Sequence, residues 1–212
     1  MSISIYNPEE ILGQFDGREQ FAEYVRLVFS ENEKINIVSR ETSEDDLYKM
    51  IADCLFPFSS FSGIRVNSPE AAHALDVGSG GGLPAFPLGI ALNNVQFTLI
   101  ERRQKKAAFL VSAIETLAIS GTVIAEDFSE SARDGKFATA NFDLATLRWV
   151  KLNSRILELF ARFLAQQGKI IYYSAVPDNL AIDTALWEIQ TQEYLLIGDK
   201  QKSRTVTILT KK

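Results

Sequence analysis

Short apolar runs alternate with stretches of helical spacing through the C-terminal two thirds of the chain. The apolar runs predict strands at about His73–Val77, Val95–Ile100, Gly121–Ala125, Phe142–Leu147 and Gly168–Ser174. The stretches of helical spacing predict helices at about Ala85–Leu92, Arg103–Ile119, Ser129–Arg133, Ser154–Gln166 and Asp178–Gln190. Such alternation predicts an α/β fold with a mostly parallel sheet, right-handed crossovers and helices on both faces.

Two more strands are predicted after the last of these helices. Glu193–Ile197 and Thr205–Leu209 flank a polar turn over residues 198–203, which is the pattern of a β-hairpin. A hairpin at this point gives the sheet an antiparallel edge. A Rossmann-like sheet that ends in an antiparallel hairpin is typical of methyltransferases and not of dehydrogenases.

The N-terminal part of the chain carries helical patterns. Apolar positions over Pro8–Phe29 predict two short helices, or one helix with a break. A further helix is predicted over Thr42–Phe56, ending at Pro57 because proline cannot continue the hydrogen bonds of a helix. The sequence therefore predicts a helical extension over residues 1–70, packed on a core domain over residues 71–212.

The strongest chemical signal lies over residues 74–84, where an apolar run is followed by closely spaced glycines and a proline. Glycines permit positive φ and let a ligand approach bare backbone, and a following helix start offers unpaired N–H groups. The dinucleotide fingerprint requires glycine at its sixth position, which is Leu83 here, and the Lys-Ser/Thr end of a phosphate-binding loop is absent. An acid before the glycines suits the ammonium of S-adenosylmethionine, while a tight turn without a ligand is the alternative. The predicted cofactor residues of this stretch are Asp76, Gly78, Ser79 and Gly80.

Acidic residues follow the next two predicted strands, at the sheet edge where such folds bind ligands. Glu101 ends the second strand, where a carboxylate can accept both ribose hydroxyls of adenosine. Its alternative role is to cap the helix of the basic run that begins with Arg102, itself a predicted cofactor residue. Asp127, Phe128 and Ser129 follow the third strand, where one side chain can meet the adenine amino group and an apolar one can cover the ring. Asp127 or Ser129 can equally cap the short helix that starts there.

Arg148 and Trp149 follow the fourth predicted strand, where a methyl acceptor should meet the cofactor. Arg148 is the predicted catalytic residue, because a guanidinium can orient a carboxylate, a phosphate or a guanine edge. Trp149 can stack a base or lie in the core.

Arg148 and other cations are predicted to form one basic face that receives RNA: Arg102, Arg103, Lys105, Lys106 and Lys151. Alternatively they pair with acids such as Glu101, Asp143 and Glu158 on an ordinary surface.

The composition narrows the function classes. With 46% hydrophobic and 23% charged residues the chain is of ordinary globular composition. A net charge of −5 argues against general nucleic-acid binding and leaves room for a local basic face. Cys54 is the only cysteine and His73 the only histidine, which excludes an internal disulfide and argues against a metal site. We expect Cys54 to lie in the core. We expect His73 at the start of its strand, in packing or a loop, away from the carboxyl ends of the strands where such sheets bind ligands.

Membrane and export signals are not evident in the sequence. No apolar run approaches the roughly 20 residues that a membrane span requires. The first ten residues are polar and acidic, unlike a signal peptide. We therefore expect a cytoplasmic protein. We also expect it to act as a monomer.

Residues 75–92 resemble the glycine motif of the GidB/RsmG family, the 16S rRNA guanine-N7 methyltransferases, whose glycines precede Phe/Leu-Pro-Gly-Ile-Pro-Leu-x-Ile-Ala. Other segments are similar to motifs of the same family: Lys34–Ser39, Ile51–Leu55, Leu99–Glu101, Gln104–Lys106, Phe109–Leu110, Thr146–Arg148 and Ser203–Arg204. The resemblance implies 16S rRNA or the small ribosomal subunit as partner and S-adenosylmethionine as cofactor. The cofactor residues that it implies are Gly78, Leu83, Glu101, the Phe128–Ser129 stretch and Arg148.

The chain departs from the family pattern in three places. Residues 85–86 are Ala-Phe where the family has Gly-Ile, residues 49–50 are Lys-Met where it has a histidine, and residues 173–174 are Tyr-Ser where it has Lys-Gly. The last two changes concern the substrate side and leave the cofactor assignment intact.

These observations predict an S-adenosylmethionine-dependent methyltransferase acting on a guanine N7 of small-subunit rRNA. Guanine N7 carries a free lone pair, so transfer needs proximity and alignment and no general base. The sequence agrees, because no histidine or cysteine follows the fourth strand, and the Asn/Asp-Pro-Pro-Tyr signature of exocyclic-amine methyltransferases is missing. The alternatives are a methyltransferase for a small molecule or protein, and a non-catalytic cofactor-binding factor for ribosome assembly.

Overall fold

The computed structural model describes residues 3–61, 64, 72–92, 94–198 and 203–212. The N-terminal part contains a short strand and three helices: β1 (Ser4–Tyr6), α1 (Pro8–Leu12), α2 (Arg18–Ile35) and α3 (Glu44–Ser60). The remainder alternates strands and helices: β2 (Ala72–Val77), α4 (Ala85–Ala91), β3 (Val95–Ile100), α5 (Gln104–Thr116), β4 (Gly121–Ile124), α6 (Phe128–Arg133), β5 (Phe142–Leu147), α7 (Ser154–Phe163), β6 (Leu164–Tyr172), β7 (Trp187–Leu196) and β8 (Arg204–Lys211).

The described strands form one eight-stranded sheet in the order β1-β7-β8-β6-β5-β2-β3-β4. Strands β6, β5, β2, β3 and β4 run parallel to one another, and β8 is antiparallel to both β6 and β7. The structure thus confirms the predicted parallel sheet with an antiparallel C-terminal hairpin. Strand β1, which pairs parallel with β7, was not expected from the sequence.

Helices cover both faces of the sheet. Successive residues of its central strands face opposite sides, so neighbouring residues are buried in different apolar clusters. Ala74 of β2 belongs to an apolar cluster with α2, α3, α4 and α5, whereas Leu75 belongs to a second cluster with α6 and α7. Leu144 and Ala145 of β5 divide in the same way. The N-terminal helices therefore cover one face of the sheet. The predicted domain boundary between residues 70 and 71 lies outside the described residues.

Helix α3 begins as its sequence suggests and ends later. The Ser43 hydroxyl accepts from the Asp46 backbone N–H at 3.1 Å, and the Ser43 N–H donates to the Asp46 carboxylate at 3.1 Å, which completes a capping box. The predicted end at Pro57 is wrong, because the helix continues to Ser60. Leu55, Phe56 and Pro57 are buried and Phe58 is partly buried against the same apolar cluster, and this packing outweighs the hydrogen bond that proline removes.

Two helix predictions near the C-terminal strands are also wrong: one helix is not found within the described residues and the other ends earlier than predicted. The helix expected over Asp178–Gln190 is absent from the described chain, where turns lead into β7 at Trp187. Pairing of β7 with β8 along most of its length overrides the local helical pattern. Helix α7 ends at Phe163 and not at Gln166, because Leu164 already pairs with Phe142 and a register shift follows.

Candidate active site

A glycine loop joins β2 to α4 and forms the floor of the site. Gly80 has φ of 57°, and the nearest atom to a side chain there would be a backbone carbonyl, 3.7 Å away. Gly82 has φ of 90°, and a β-carbon there would overlap the Phe86 ring. Gly82 therefore permits close helix packing, whereas Gly80 leaves bare backbone on the open side of the loop.

The N-terminal helices hold this loop from the other side. The Tyr24 hydroxyl of α2 donates to the Gly81 carbonyl at 2.8 Å, and the Tyr24 ring meets Phe86 edge-on with centroids 5.6 Å apart. The Asn32 side-chain oxygen accepts from the Val38 backbone N–H at 2.9 Å. This bond fixes the segment after α2, so that Ile37 and Val38 form part of the cavity wall.

A cavity of about 500 Å³ opens at the carboxyl ends of β2, β3 and β5, a size suited to a nucleoside cofactor. The described residues around it bring together ten of the predicted cofactor residues: Gly78, Ser79, Gly80, Leu83, Glu101, Arg102, Asp127, Phe128, Ser129 and Arg148. Other lining residues, which were not predicted as cofactor contacts, include Ile37, Val38, Arg103, Lys106, Glu126, Trp149, Val150 and Ile156.

Glu101 lies at the end of β3 with its carboxylate already engaged by backbone. One oxygen accepts from the Gly80 N–H at 2.9 Å, and the other from the Arg103 N–H at 2.8 Å. The Arg103 bond is the capping contact that the sequence left as an alternative. The Gly80 bond connects the glycine loop to β3 and holds the Glu101 carboxylate at the cavity. The predicted contact of this carboxylate with a ribose stays a prediction.

Asp76 does not line the cavity and is buried directly behind it. One carboxylate oxygen accepts from the Thr146 hydroxyl at 2.6 Å. The other oxygen is buried without a hydrogen-bond partner among the residues that the structure describes. Burial raises the pKa of Asp76 to about 6 against the opposing effect of the nearby Thr146 and Ser79 hydroxyls, with Glu101 adding a smaller increase. The Ser79 hydroxyl donates to the Asp76 backbone carbonyl at 3.0 Å and not to the carboxylate. The predicted contact of Asp76 with a cofactor ammonium remains a prediction.

Asp127 caps helix α6, as one of its two predicted roles required. Its carboxylate accepts from the Ser129 backbone N–H at 2.8 Å. The Phe128 ring packs in the core against Phe137 and Phe160, with centroids 5.7 Å and 5.6 Å away, and still borders the cavity. The start of α6 therefore presents a capped helix end and one ring edge to a ligand.

Arg148 lines the cavity, but Asp53 of α3 holds its guanidinium. The Asp53 carboxylate accepts from Arg148 Nη2 at 2.6 Å, from Arg204 Nη1 at 2.9 Å and from the Tyr194 hydroxyl at 2.5 Å. Burial would raise the pKa of Asp53, yet the two guanidiniums and the hydroxyl outweigh it and keep that pKa below its usual range. Arg148 Nη1 is buried and has no hydrogen-bond partner within the described ranges.

The partner of Arg148 was not found from the sequence, which offered Glu101, Asp143 and Glu158 as candidate acids. The one available signal was the position of Asp53 itself, a charged residue on an otherwise apolar helical face between Ile51 and Leu55. Lone charges on buried faces are paired.

Trp149 stands at the mouth of the cavity with 70% of its surface exposed, so the core alternative for this residue is wrong. The Arg148 guanidinium carbon lies 3.9 Å from the centroid of its ring system. Among the predicted cations, Arg102, Arg103 and Lys106 also line the cavity. The structure leaves Lys105 and Lys151 exposed and outside the lining.

The sequence correctly placed Cys54 in the core and His73 at the strand end away from the cavity, whereas the expected packing of His73 is not found, because its side chain is exposed. His73 is exposed at the start of β2, the end of the strand opposite to the cavity. Cys54 is fully buried, and burial raises the pKa of its thiol to about 12, so it does not form a thiolate at neutral pH. Within the described ranges, His, Cys, Asp and Glu side chains form no cluster that could hold a metal ion. No helix in that same part of the chain is long and apolar enough to span a membrane.

The sheet order and the glycine-floored cavity define a Rossmann-like S-adenosylmethionine-dependent methyltransferase. The fold is similar to that of a Klebsiella pneumoniae protein described as an O-methyltransferase, with a TM-score of 0.65 and 11% identity, covering 97% of this chain and 95% of that one. It is also similar to an rRNA methylase from Streptococcus thermophilus, with a TM-score of 0.51 and 11% identity, covering 67% of this chain and 87% of the other. At this identity the likeness concerns the fold alone.

The family model for rRNA small subunit methyltransferase G (GidB) matches residues 17–207. A ribosomal RNA small subunit methyltransferase G from Brachyspira hyodysenteriae is 27% identical over 197 residues, covering 91% of this chain and 90% of that protein. The protein of the same name from Solibacter usitatus is 32% identical over 157 residues, covering 74% of this chain and 69% of that protein. The chain belongs to the GidB family of small-subunit rRNA methyltransferases, which confirms the resemblance seen in its motifs. It is an rRNA methyltransferase that uses S-adenosylmethionine.

Proposed function

We propose that this chain methylates N7 of a guanine in 16S rRNA of the small ribosomal subunit, acting as a monomer in the cytoplasm. The observation that carries the choice of atom is the state of the cavity's carboxylates. Glu101 holds two backbone N–H groups, Asp127 caps α6, and Glu126 accepts from Lys136 and Ser131. Among the described lining residues there is also no histidine or cysteine. A site without a free base favours an acceptor that has no proton to lose, and guanine N7 is such an acceptor.

The cavity's residues fit the cofactor in size and chemistry. Gly80 leaves space for a ligand against the loop backbone, and the Glu101 carboxylate stands where ribose hydroxyls could donate to it. Asp127 and Phe128 would meet the adenine end. When bound, S-adenosylmethionine supplies a methyl group on a positively charged sulfonium. The chain's own part is to hold both reactants in line and to exclude water, which is where proximity lowers the barrier.

Arg148 and Trp149 border the remaining side of the cavity, where the substrate would enter. Asp53 holds the Arg148 guanidinium in place, and a fixed guanidinium can position a polar edge or a phosphate without moving a proton. The site residues named above all belong to one chain, so the proposed reaction requires no second copy. The ribosomal substrate favours the cytoplasm.

A methyl-transfer assay with three acceptors tests this proposal. The purified chain and S-adenosylmethionine with a labelled methyl group are incubated in parallel with small ribosomal subunits, naked 16S rRNA and bulk protein. We expect label in the RNA, and cleavage by borohydride and aniline, which act at 7-methylguanine, at one position. Label in protein alone would show a protein methyltransferase, and labelled RNA that resists cleavage would exclude N7.

A pair of variants links the activity to the described cavity. Glu101→Ala should weaken binding of S-adenosylhomocysteine by about 1–3 kcal/mol, since it removes a hydrogen-bonding carboxylate. Glu115→Ala changes an exposed carboxylate on α5 outside the cavity lining, so its affinity should equal that of the native chain. Equal affinities for the native chain and both variants in calorimetry would contradict the role of Glu101.

A further inference from the structure

Trp149 differs sharply from the other tryptophan of the chain in its environment. Trp187 is 2% exposed and lies in the apolar cluster beneath α7, whereas Trp149 is 70% exposed at the cavity mouth. A large aromatic ring held in solvent beside a cavity gains little from burial within its own chain. Its exposed surface is therefore available to a ligand of the cavity.

One face of the Trp149 ring system is supported from below. The Arg148 guanidinium lies 3.9 Å from the ring centroid, and Asp53 anchors that guanidinium through bonds of 2.6 Å and 3.3 Å. Arg148 is buried, so this support belongs to the rigid interior of the protein and not to its mobile surface. The guanidinium covers one face of the Trp149 ring, so the exposed surface of the side chain lies on the opposite face and the edges of the ring.

The backbone at this position is built to turn the ring outward. Trp149 has φ of 58°, a left-handed conformation that bulky residues rarely adopt. The next residue, Val150, packs against Gly78 so closely that a β-carbon on Gly78 would overlap its side chain. Val150 thus points into the protein beside the glycine loop while Trp149 points out of it. Such an outlier at a cavity mouth indicates a functional constraint.

We propose that Trp149 is the stacking platform for the target base, an unpaired purine of the RNA substrate, and this inference rests on the proposed function. Every base has a π face that can stack on an aromatic ring, and unpaired RNA bases are commonly held in this way. Stacking uses the face of guanine and leaves its N7 edge free to meet the methyl group. A hydrogen-bonding clamp on that edge would occupy the reacting lone pair.

The charges around Trp149 favour RNA over other flat ligands. Arg102, Arg103 and Lys106 line the same cavity, and Lys151 is exposed two residues after the tryptophan. These cations can contact the phosphates on either side of a base that stacks on the ring. A neutral small molecule would gain nothing from them.

Substitutions at residue 149 test the platform without disturbing the fold. Trp149→Gly removes the ring at a φ that glycine adopts freely, and Trp149→Phe retains an aromatic face. Ile5→Ala is the control, because Ile5 is 64% exposed on β1 and lies outside the cavity lining. We expect Trp149→Gly to raise KM for small subunits about ten-fold or more, the scale of one lost base stack, and Trp149→Phe to recover most of it. Binding of S-adenosylhomocysteine should stay within two-fold of native in all three variants.

Fluorescence separates this inference from the proposed function. A short single-stranded RNA that contains guanine should quench the emission of the native chain, because Trp149 is exposed. It should leave Trp149→Phe unchanged, since Trp187 is buried. Native KM in Trp149→Gly, or no quenching in the native chain, would overturn the platform. A native chain that shows quenching but methylates no RNA would support stacking and overturn the proposed reaction.

Discussion

Two buried aspartates border the site, and their charges are compensated differently. Asp53 faces the guanidiniums of Arg148 and Arg204, so its charge is neutralised within the protein. Asp76 has a hydroxyl on one oxygen and an unpartnered second oxygen among the described residues. A buried carboxylate without a cation is more stable when protonated. Protonation of Asp76 in mild acid should therefore stabilise the fold.

Stability should fall as the pH rises from about 4 to about 6, where Asp76 ionises more readily in the unfolded chain than in the folded one. Its pKa of about 6 in the folded chain exceeds the value near 3.9 of an unfolded aspartate, so the folded state holds the proton more tightly. The Asp76 contribution to the free energy of unfolding is full below pH 4 and declines up to pH 6, by at most about 3 kcal/mol. The free energy of unfolding of Asp76→Asn minus that of the native chain should accordingly rise from pH 4 to pH 6 and stay constant above pH 6. Urea titrations from pH 4 to 7.5 measure it, and a difference that stays flat would contradict this prediction.

Single residues were predictable from the sequence where their chemistry is local. The glycine loop and Glu101 were found because a strand, a turn and a helix start are encoded in consecutive positions. The contact between Asp53 and Arg148 joins residues 95 positions apart, and no local pattern specifies which acid meets which base. The exposure of Trp149 was left open for the same reason, since its neighbours Val150 and Leu152 suggested burial as readily.

At the scale of elements, helix α3 is tied to the sheet through a polar contact within an apolar interface. Asp53 on α3 meets Arg148 after β5, Tyr194 on β7 and Arg204 on β8. The Tyr173 hydroxyl adds a bond of 2.6 Å to the Cys54 carbonyl of the same helix. Residues from four segments, two directly after strands β5 and β6 and two within β7 and β8, thus converge on one turn of a helix.

Removal of the Asp53 charge should cost far more than removal of a surface charge on the same helix. Asp53→Asn removes the buried charge that Arg148 and Arg204 share, and breaking a buried pair such as Asp53–Arg148 costs about 3–5 kcal/mol. The matched control is Asp45→Asn, which affects a pair with Lys49 whose carboxylate is largely exposed and which is worth at most about 1 kcal/mol. Urea denaturation of both variants gives the comparison. Equal stability losses would mean that the buried contact does not anchor α3.

Elements were predictable where periodicity and tertiary pairing agree. The parallel strands were located to within a few residues because they are short apolar runs between helical stretches. Residues 178–190 failed because the strand there depends on its pairing with β8, a contact that lies outside any local window. Pro57 failed in the opposite sense, since burial kept a helix intact through a residue that normally ends one.

For the whole molecule, the balance of charge is acidic, whereas cations and acids both line the cavity. The net charge is −5, yet Arg102, Arg103 and Lys106 lie at the cavity together with Arg148, beside the acids Glu101, Glu126 and Asp127. Such an arrangement attracts phosphate locally while the remaining surface repels it. Contact with RNA should then depend on few phosphates.

RNA affinity should fall with salt, with a shallow slope. Each phosphate neutralised contributes about 0.7–0.9 to the slope of log affinity against log salt. Arg102→Ala should lower the slope by about 1 and weaken binding equally across sequences. Arg26→Ala on α2 is the control, because Arg26 is exposed and already paired with Glu23. Filter binding of 16S rRNA between 50 and 200 mM salt measures both. Affinity that ignores salt would contradict a role for these cations.

The sheet order has a consequence for the way the chain is made. Strand β8 lies between β6 and β7, and β1 joins the sheet only by way of β7. A ribosome releases these segments in chain order, so β1 and β7 both emerge before the strand that connects them to the rest of the sheet. The contact between Asp53 on α3 and Arg204 likewise requires β8. Strands β1 and β7 therefore cannot join the central strands through β8 until that strand has left the ribosome, whatever the other elements have done by then.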